Sequence, residues 1–407
     1  MQRRELIKWI VSLPLVMNGA KASAATPAAA PASGKYWVYL GTYTKPGGSR
    51  GIYRTELDLK TGQLAPPTLV AELESPSFVN LSPNGKFLYA VGETADSGPS
   101  KTEGTVHAFR IDPATGNLTK LNSRTSGGAH PCHLSVNSTG RFVIVANYTG
   151  GSSAIFALND DGSLGDRTDF QQHQGSGPNK SRQEAPHAHC AQFLTIDGVE
   201  YAYVVDLGLD KVLSYRLDPK TGVLAATLPG SVNLPPSSGP RHIAFHPALG
   251  RAYVCGEMDS TCITLQFRKQ KDGVLELFPA AAPQGNHLST LPADVTPEVR
   301  QRNSTAEIVV HPSGQHVLVS NRGHDSVALF GINADGTKPL GHITSAPGRE
   351  IKTPRNFNVD PTGQWVLIAS QDGDTVRSAQ WSGPGTSLSP HSITVGAPVC
   401  VKFLPKP

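Results

Sequence analysis

The chain has 407 residues, of which Gly (41) and Pro (33) make up nearly a fifth, and its formal net charge is +4. This composition is typical of many short strands joined by tight turns rather than of a helical protein. Because the charge is small and no long run of Lys or Arg follows the N-terminal segment, a nucleic-acid partner is not expected.

The first 24 residues are predicted to be a signal peptide. Arg3 and Arg4 precede an apolar stretch from Trp9 to Ala20, and 22–24 (Ala-Ser-Ala) supply a small-residue cleavage site. Twin arginines resemble the twin-arginine export signal, and an ordinary Sec signal is the alternative. We therefore expect a periplasmic protein with no membrane association after cleavage. Residues 25–33 are predicted to be a flexible lead-in, and 34–407 a single domain.

A turn motif, Asp-x-x-Thr-Gly-x-Leu or a close variant, recurs seven times. The copies lie at 58–64, 112–118, 159–164, 218–224, 271–275, 333–340 and 382–388. Asp or Asn followed by Gly suits a hairpin turn with a left-handed position, and the Leu begins the next strand. A repeat of about 50 residues that carries such a turn indicates a β-propeller.

A second motif, Pro-x-Gly, joins two further strands in each repeat. It occurs at 83–85, 312–314 and 361–363, with variants at 137–140, 247–250 and Asp197-Gly198. Each repeat therefore contains four strands, which we call A, B, C and D from the inside outward. Two β-sandwich domains are the competing architecture, but they do not explain seven copies of the first turn and six of the second.

The two ends of the domain are predicted to close the ring. The first repeat begins on a B strand at 36–40, and the chain returns on an unpaired A strand at 398–403. If these two strands pair, the fold is an all-β, seven-bladed propeller of four-stranded antiparallel blades.

Five cysteines occur, and Cys255 and Cys262 could face each other across one hairpin, so a disulfide there stays an open question.

Polar residues concentrate where A strands begin and B strands end. A and B run antiparallel, so both positions lie at the same mouth of the central channel. The candidates at this mouth are Glu93, His133, His187, His189, Arg241, His242, Glu257, Arg322 and Arg355. Such a ring of charges is costly unless the groups pair or bind something, so a network of structural ion pairs is the alternative to an active site.

The residue types favour acid–base chemistry on an anionic or oxygen-rich substrate. His187 and His189 are two residues apart and share one face of a strand, and an imidazole titrates near neutral pH. Arg241, Arg322 and Arg355 suit a carboxylate, phosphate or oxyanion. A metal site at the two histidines lacks a clear third ligand, so neither metal nor cofactor is expected. The stretch 175–184 is too long for a plain turn and is predicted to fold over the mouth with Arg182.

Several longer motifs resemble the propeller-type lactonase family, which includes bacterial 6-phosphogluconolactonases and fungal carboxymuconate lactonizing enzymes. These motifs lie at 41–44, 131–133, 183–189, 206–210, 239–242 and 320–326. The resemblance covers the whole domain and implies lactone chemistry without an obligatory metal. By position, it implies that His189 (or His187) and Glu257 act as acid and base, and that Arg241 and Arg322 hold the anion. His133, His187, His242, Arg355, Arg182 and Glu93 are the expected substrate-binding residues.

The leading hypothesis is a lactone hydrolase that opens a sugar lactone to the aldonate. One alternative is a cycloisomerase of the carboxymuconate type, and another is a periplasmic propeller that binds a ligand or protein without turnover. The expected partner is a small-molecule lactone, and the protein is expected to be a monomer or homodimer. Whether that lactone is phosphorylated stays open, since an export signal does not suit a cytoplasmic sugar phosphate.

Overall fold

A computed structural model describes residues 31–407 except 46, 271, 272, 274, 282–284 and 335. The predicted signal peptide (1–24), residues 25–30 of the lead-in, most of the turn at 271–275 and one residue of the turn at 333–340 lie outside the described residues. The described part contains 29 strands and one short helix. None of the helical structure described there is long and apolar enough to span a bilayer.

The strands form seven antiparallel sheets, one for each blade. In chain order the blades contain β1 (Lys35–Thr42), β2 (Gly51–Asp58) and β3 (Thr68–Glu72); β4 (Val79–Leu81), β5 (Phe87–Ser97), β6 (Glu103–Ile111) and β7 (Leu118–Thr125); β8 (Pro131–Val136), β9 (Phe142–Asn147), β10 (Ser152–Leu158) and β11 (Leu164–Gln172); β12 (Ala188–Ile196), β13 (Val199–Asp206), β14 (Lys211–Leu217) and β15 (Leu224–Asn233). The remaining blades contain β16 (Pro240–Phe245), β17 (Arg251–Gly256), β18 (Thr261–Lys269), β19 (Leu275–Pro279) and the short β20 (His287–Ser289); β21 (Ser304–Val310), β22 (His316–Arg322), β23 (Ser326–Asn333) and β24 (Gly336–Thr344); β25 (Pro354–Val359), β26 (Trp365–Ser370), β27 (Thr375–Gln380) and β28 (Ser387–Thr394).

The ring closes as the sequence predicts. A final strand, β29 (Pro398–Pro405), pairs with β1 and becomes the innermost strand of the first blade, with Leu40 opposite Val401. The seven inner strands contact one another in a complete circle: β29, β4, β8, β12, β16, β21, β25 and back to β29. Side-chain amides tie neighbouring inner strands together; Gln192 Nε2, for example, donates to the carbonyl of Ile243 at 3.0 Å. The prediction of a seven-bladed propeller is confirmed.

The hydrophobic core lies between the blades rather than in one central mass. The B strands are apolar runs that are buried on both faces, and all six residues of β9 and of β26 are buried. A strand that alternates its side chains between two faces fills two inter-blade layers at once, because each blade packs face to face on both neighbours. The apolar B-strand runs in the sequence therefore determine how the blades stack.

The recurring Thr-Gly turn locks one blade to the preceding one. Gly222 has φ +73°, and a Cβ there would lie 2.4 Å from the ring of Phe142 in the blade before it. Gly62 has φ +72° and meets Trp365 in the same way, at 2.2 Å. Asp218 Oδ1 accepts the backbone N–H of Lys220 at 2.8 Å and so shapes the turn. Glycine is needed here both for the left-handed backbone and for the close contact.

The five cysteines, all of which the structure describes, are free and buried. Cys255 and Cys262 face each other across β17 and β18, so the predicted register of that hairpin is correct, but the thiols form no disulfide.

Two connections between blades are longer than the rest, and both lie on the mouth side. Residues 173–187 join β11 to β12, as anticipated from the sequence. Residues 280–303 join β19 to β21 and contain β20 and the helix α1 (Pro297–Arg302), whose N-cap is Thr296. The second insertion was not predicted.

Candidate active site

The strand register brings the A-strand starts and B-strand ends to one mouth of the channel. Ala188 at the start of β12 is opposite Asp206 at the end of β13, Pro240 is opposite Gly256, and Ser304 is opposite Arg322. The residues that follow or flank these pairs, including Glu257 and Arg241, therefore converge on the same opening.

Glu257 lies at the centre of this mouth and is contacted by three arginines. Its Oε1 accepts a hydrogen bond from Arg182 Nη2 at 2.7 Å. Its Oε2 lies 3.0 Å from Arg322 Nη2 and 3.1 Å from Arg241 Nε. The four side chains come from three separate parts of the chain: the 173–187 connection, blade 5 and blade 6. The structure thus brings together four of the predicted site residues.

The electrostatics keep Glu257 ionised. Burial alone would raise the pKa of this carboxyl, but the charges of Arg322 and Arg241 and the hydrogen bond from Arg182 lower it to about 2. Burial in turn lowers the pKa of Arg322 to about 10. At neutral pH the mouth therefore holds a fixed carboxylate among fixed guanidinium groups.

Arg241 and Arg322 each have one terminal nitrogen without a hydrogen-bond partner among the described residues. Arg241 Nη1 donates to the carbonyl of Ala306 at 2.6 Å, and Arg322 Nη2 donates to that of Thr305 at 2.9 Å. The Nε atoms of both arginines are buried without a hydrogen-bond partner, although Arg241 Nε is close to Glu257. By contrast, Arg241 Nη2 and Arg322 Nη1 make no hydrogen bond to the described residues, and their side chains are 3% and 14% exposed. These two donors are available to an oxygen of a substrate.

His187 and His189 differ in what their ring nitrogens contact. His187 is fully engaged: Nδ1 lies 3.2 Å from the carbonyl oxygen of Tyr148, and Nε2 lies 3.1 Å from Glu184 Oε1. His189 Nδ1 lies 3.6 Å from Cys132 Sγ, and its Nε2 has no partner among the described residues. Burial, together with Arg241, His242 and Arg355, lowers the pKa of His189 well below the usual value. It is therefore a neutral imidazole at pH 7 with a free nitrogen, which favours His189 over His187 for proton transfer.

Arg355 and Glu93 form a second cluster on the other side of the mouth. Arg355 Nη2 donates to the hydroxyl of Tyr43 at 2.9 Å, and its guanidinium lies 5.2 Å from the centre of that ring. The same hydroxyl lies 3.0 Å from Glu93 Oε2, which also accepts a hydrogen bond from Ser77. Arg355 and Glu93 thus belong to the mouth but meet through Tyr43 rather than directly.

His133 and His242 lie deeper in the channel wall and are already engaged. His133 accepts the backbone N–H of Ala191 at Nδ1 and contacts Cys190 Sγ at Nε2. His242 Nδ1 lies 2.9 Å from Glu307 Oε1, and its Nε2 accepts from Arg241 Nη1 at 3.2 Å. The substrate-binding role predicted for these two residues stays a prediction, because neither ring nitrogen is free in either side chain.

The connection 173–187 that carries Arg182 is anchored at both ends by one carboxylate. Asp206 is fully buried; its Oδ2 lies 2.6 Å from His173 Nδ1, and its Oδ1 accepts the backbone N–H of His187 at 2.8 Å. In the middle, buried Gln183 donates to the carbonyl of Leu207 at 2.8 Å. The predicted position of this segment over the mouth matches the Arg182–Glu257 contact.

Sequence reasoning missed the supporting residues of this loop. His173 lies in an irregular segment with no periodic pattern, so no signal marked it, and Gln183 was marked only as the first residue of the motif at 183–189. Tyr148, by contrast, follows a B strand, and that position in the sequence predicts a place at the mouth; its ring stacks on His187 at 4.7 Å between centroids, and its hydroxyl lies 3.3 Å from Arg182 Nη2.

Little space remains at the mouth, while the channel beneath is wider. A pit of about 10 Å³ is lined by Tyr43, Glu93, Cys132, Arg241 and Arg355, among others, and is about large enough for one water molecule. Below Phe78 and Asn356, a channel cavity of about 350 Å³ extends between the inner strands. Within the described ranges, no three His, Cys, Asp or Glu side chains are arranged to hold a metal ion.

Comparisons with known proteins agree with this architecture. The model of the family described as a lactonase with a 7-bladed β-propeller matches residues 37–403. A 6-phosphogluconolactonase of Bacillus subtilis is 38% identical over 373 residues, which cover 91% of this chain and 99% of that protein. A 6-phosphogluconolactonase of Formosa agariphila is 29% identical over 346 residues, or 83% of this chain and 90% of that protein. The solved structure of a periplasmic gluconolactonase from Pseudomonas aeruginosa is similar, with a TM-score of 0.80, 27% identity, and coverage of 92% of this chain and all of that one.

Proposed function

Because the chain belongs to the lactonase family of seven-bladed β-propellers, we propose that it hydrolyses a sugar lactone to the aldonate at the mouth around Glu257. The observation that carries this proposal is that Arg241 Nη2 and Arg322 Nη1 have no hydrogen-bond partner among the described residues, at the same mouth as a neutral His189 whose Nε2 is also unpaired there. Two fixed cationic donors suit the oxyanion that forms when water attacks a lactone carbonyl.

In the proposed reaction His189 moves the proton. As a water oxygen attacks the lactone carbonyl, Nε2 of His189 takes a proton from it, and the carbonyl electron pair becomes an oxyanion that Arg241 and Arg322 hold. The bond between the carbonyl carbon and the ring oxygen then breaks, and the ring oxygen takes the proton from His189. Nearby guanidinium charges disfavour the imidazolium, so it is a strong acid and returns its proton readily. The carboxylic acid product ionises to the aldonate.

Glu257 has a supporting role in this scheme. Both carboxylate oxygens of Glu257 already contact guanidinium groups, so its proposed part is to hold Arg241 and Arg322 and to orient the water. Burying a cluster of arginines without this anion would be costly, since each charge would lose its hydration uncompensated.

In the structure the charged side chains at the mouth pair with one another, and a protein that binds without turnover could have the same arrangement. The pair that covers Glu257, however, comes from Arg182, whose side chain is 43% exposed. Rotation of this one side chain would free Oε1 of Glu257, while Oε2 would keep its contacts with Arg241 and Arg322. The lactonase relatives also favour turnover over simple binding.

We further propose that the protein is periplasmic and acts on an unphosphorylated sugar lactone. The twin-arginine-like N-terminus and the periplasmic gluconolactonase of Pseudomonas aeruginosa both support this location. The relatives named 6-phosphogluconolactonase favour the phosphorylated substrate instead. Fractionation of cells that express the full-length chain would test the location.

The activity test uses the purified mature protein with gluconolactone and 6-phosphogluconolactone. We expect His189→Ala and Glu257→Ala to lower kcat/KM at least about 100-fold on the preferred substrate, the size of a general acid–base or oxyanion contribution. The matched control is His391→Ala, since His391 lies on the outermost strand β28, away from the mouth. Rates like those of the wild type in both mouth variants would rule out the assignment.

A further inference from the structure

A hydrogen-bonded chain of side chains runs from the channel to Arg241. Glu307 is on β21 in blade 6, and His242 and Arg241 are on β16 in blade 5. Glu307 Oε1 lies 2.9 Å from His242 Nδ1, and His242 Nε2 lies 3.2 Å from Arg241 Nη1. All three side chains are buried.

The chemistry of the chain fixes the direction of each hydrogen bond. A guanidinium can only donate, so His242 Nε2 must present its lone pair to Arg241. The single proton of the neutral ring is then on Nδ1, where the Glu307 carboxylate accepts it. A protonated His242 would place an N–H against the guanidinium, and burial together with the Arg241 charge disfavours that form by lowering the pKa of His242.

The carboxylate of Glu307 is itself held in place. Its Oε1 also accepts the backbone N–H of Ile308 at 3.0 Å, and its Oε2 accepts from the amide of Asn356 in blade 7. The amide oxygen of Asn356 accepts the backbone N–H of Val401 on the closing strand at 2.9 Å. The orientation of His242 is thus set by three inner strands beyond its own.

These contacts fix the orientation of the Arg241 guanidinium. Its Nη1 uses one proton on the carbonyl of Ala306 and the other on His242, which fixes the plane of the guanidinium. Nη2 is then the terminal nitrogen that has no hydrogen-bond partner among the described residues.

We propose that Glu307 and His242 are positioning residues which, through the chain Glu307–His242–Arg241, hold Arg241 with Nη2 directed at the reacting oxygen of the lactone. This inference rests on the proposed function of Arg241. Neither residue needs to touch the substrate, and both act on the transition state through the orientation of one donor. A poorly oriented donor weakens transition-state stabilisation more than ground-state binding, so kcat falls while KM changes little.

The test replaces His242 in two ways. His242→Phe keeps the ring volume but removes both hydrogen bonds, and we expect kcat to fall at least about 10-fold with KM within about twofold of the wild type. His242→Gln can accept from Arg241 with its carbonyl and donate to Glu307 with its amide, so we expect it to restore kcat to within about threefold. Glu307→Gln keeps one acceptor and should lie between these two. A loss in His242→Gln as deep as in His242→Phe would contradict the chain.

A double-mutant cycle separates positioning from general destabilisation. If His242 acts through Arg241, adding His242→Phe to Arg241→Met changes kcat less than about twofold, whereas independent structural effects multiply. Glu200→Gln is the matched control: Glu200 is also a buried carboxylate, but it binds Asn137 and Ser138 N at the opposite face. Two results would overturn this inference but not the proposed function: effects on kcat that multiply in the double variant, or a wild-type kcat in His242→Phe when Arg241→Met is impaired. A wild-type kcat in Arg241→Met would instead overturn the proposed function.

Discussion

Replacing Arg182 with Ala removes the one cation at Glu257 that comes from a loop rather than from a strand end. The hydrogen bond is 2.7 Å long and joins two opposite charges. Such bonds contribute about 1.5–3 kcal/mol, but Arg182 is 43% exposed and solvent screens it, so about 1 kcal/mol is the appropriate size. Since one pKa unit corresponds to about 1.4 kcal/mol, we expect the pKa of Glu257 to rise from about 2 by roughly one unit.

A direct titration measures this shift without relying on activity. In protein labelled with ¹³C at the glutamate carboxyl carbons, the Glu257 signal is identified by its loss in Glu257→Gln, and its chemical shift is followed as the pH falls. Arg268→Ala is the matched control, because Arg268 also makes an exposed 2.6 Å ion pair with a glutamate but lies on an outer strand pair. A Glu257 titration that is the same in Arg182→Ala as in the wild type would show that Arg182 does not cover Glu257 in solution, and the account of the closed mouth would be wrong.

Three further outcomes are expected. Gly222→Ala places a Cβ 2.4 Å from Phe142 at a residue with a left-handed backbone, so we expect the free energy of unfolding, measured by thermal denaturation, to fall by about 2–5 kcal/mol. The control is Gly198→Ala, for which we expect a loss of about 1 kcal/mol, because φ there is +77° but no atom lies within 4 Å of the new Cβ. Asp206→Asn removes the charge that anchors both ends of 173–187, so amide hydrogen exchange in that segment should accelerate and kcat/KM should fall. The pKa of Glu257 is about 2 in the folded protein against 4.5 for a free glutamate, so its ionised form stabilises the fold by about 3 kcal/mol above pH 4.5. This stabilisation is lost as the pH falls from 4.5 toward 2. The free energy of unfolding of Glu257→Gln should therefore depend less on pH in this range.

The architecture was predictable because it rests on local signals that repeat. The Thr-Gly turn, the Pro-x-Gly turn and the apolar B-strand run each mark a fixed position in the blade, and repetition reduces the effect of any one degenerate copy, such as Asp197-Gly198 in place of Pro-x-Gly. The ring closure followed from the strand order at 36–40 and 398–403. The insertion 280–303 could not be found in this way, because a segment outside the repeat has no second copy with which to compare it.

The candidate site was predictable as a set of positions but not as a set of roles. Strand direction alone placed Arg241, Glu257 and Arg322 at one mouth. The sequence contains no information on which nitrogen of His242 or His189 is occupied, because those contacts cross blade boundaries. The strongly acidic character of Glu257 likewise depends on three guanidinium groups from distant parts of the chain, one of them on an irregular loop.

The pairing of β29 with β1 has a consequence for how the molecule unfolds. A linear array of repeats ends in terminal units that contact a neighbour on one side only, so such arrays fray from their ends and need capping units. In this propeller every blade has two neighbours, and detaching any blade means separating two interfaces at once. Chain ends, usually the weakest part of a repeat protein, are here joined in the first blade, so loss of that strand would convert the ring into an open array with two exposed faces.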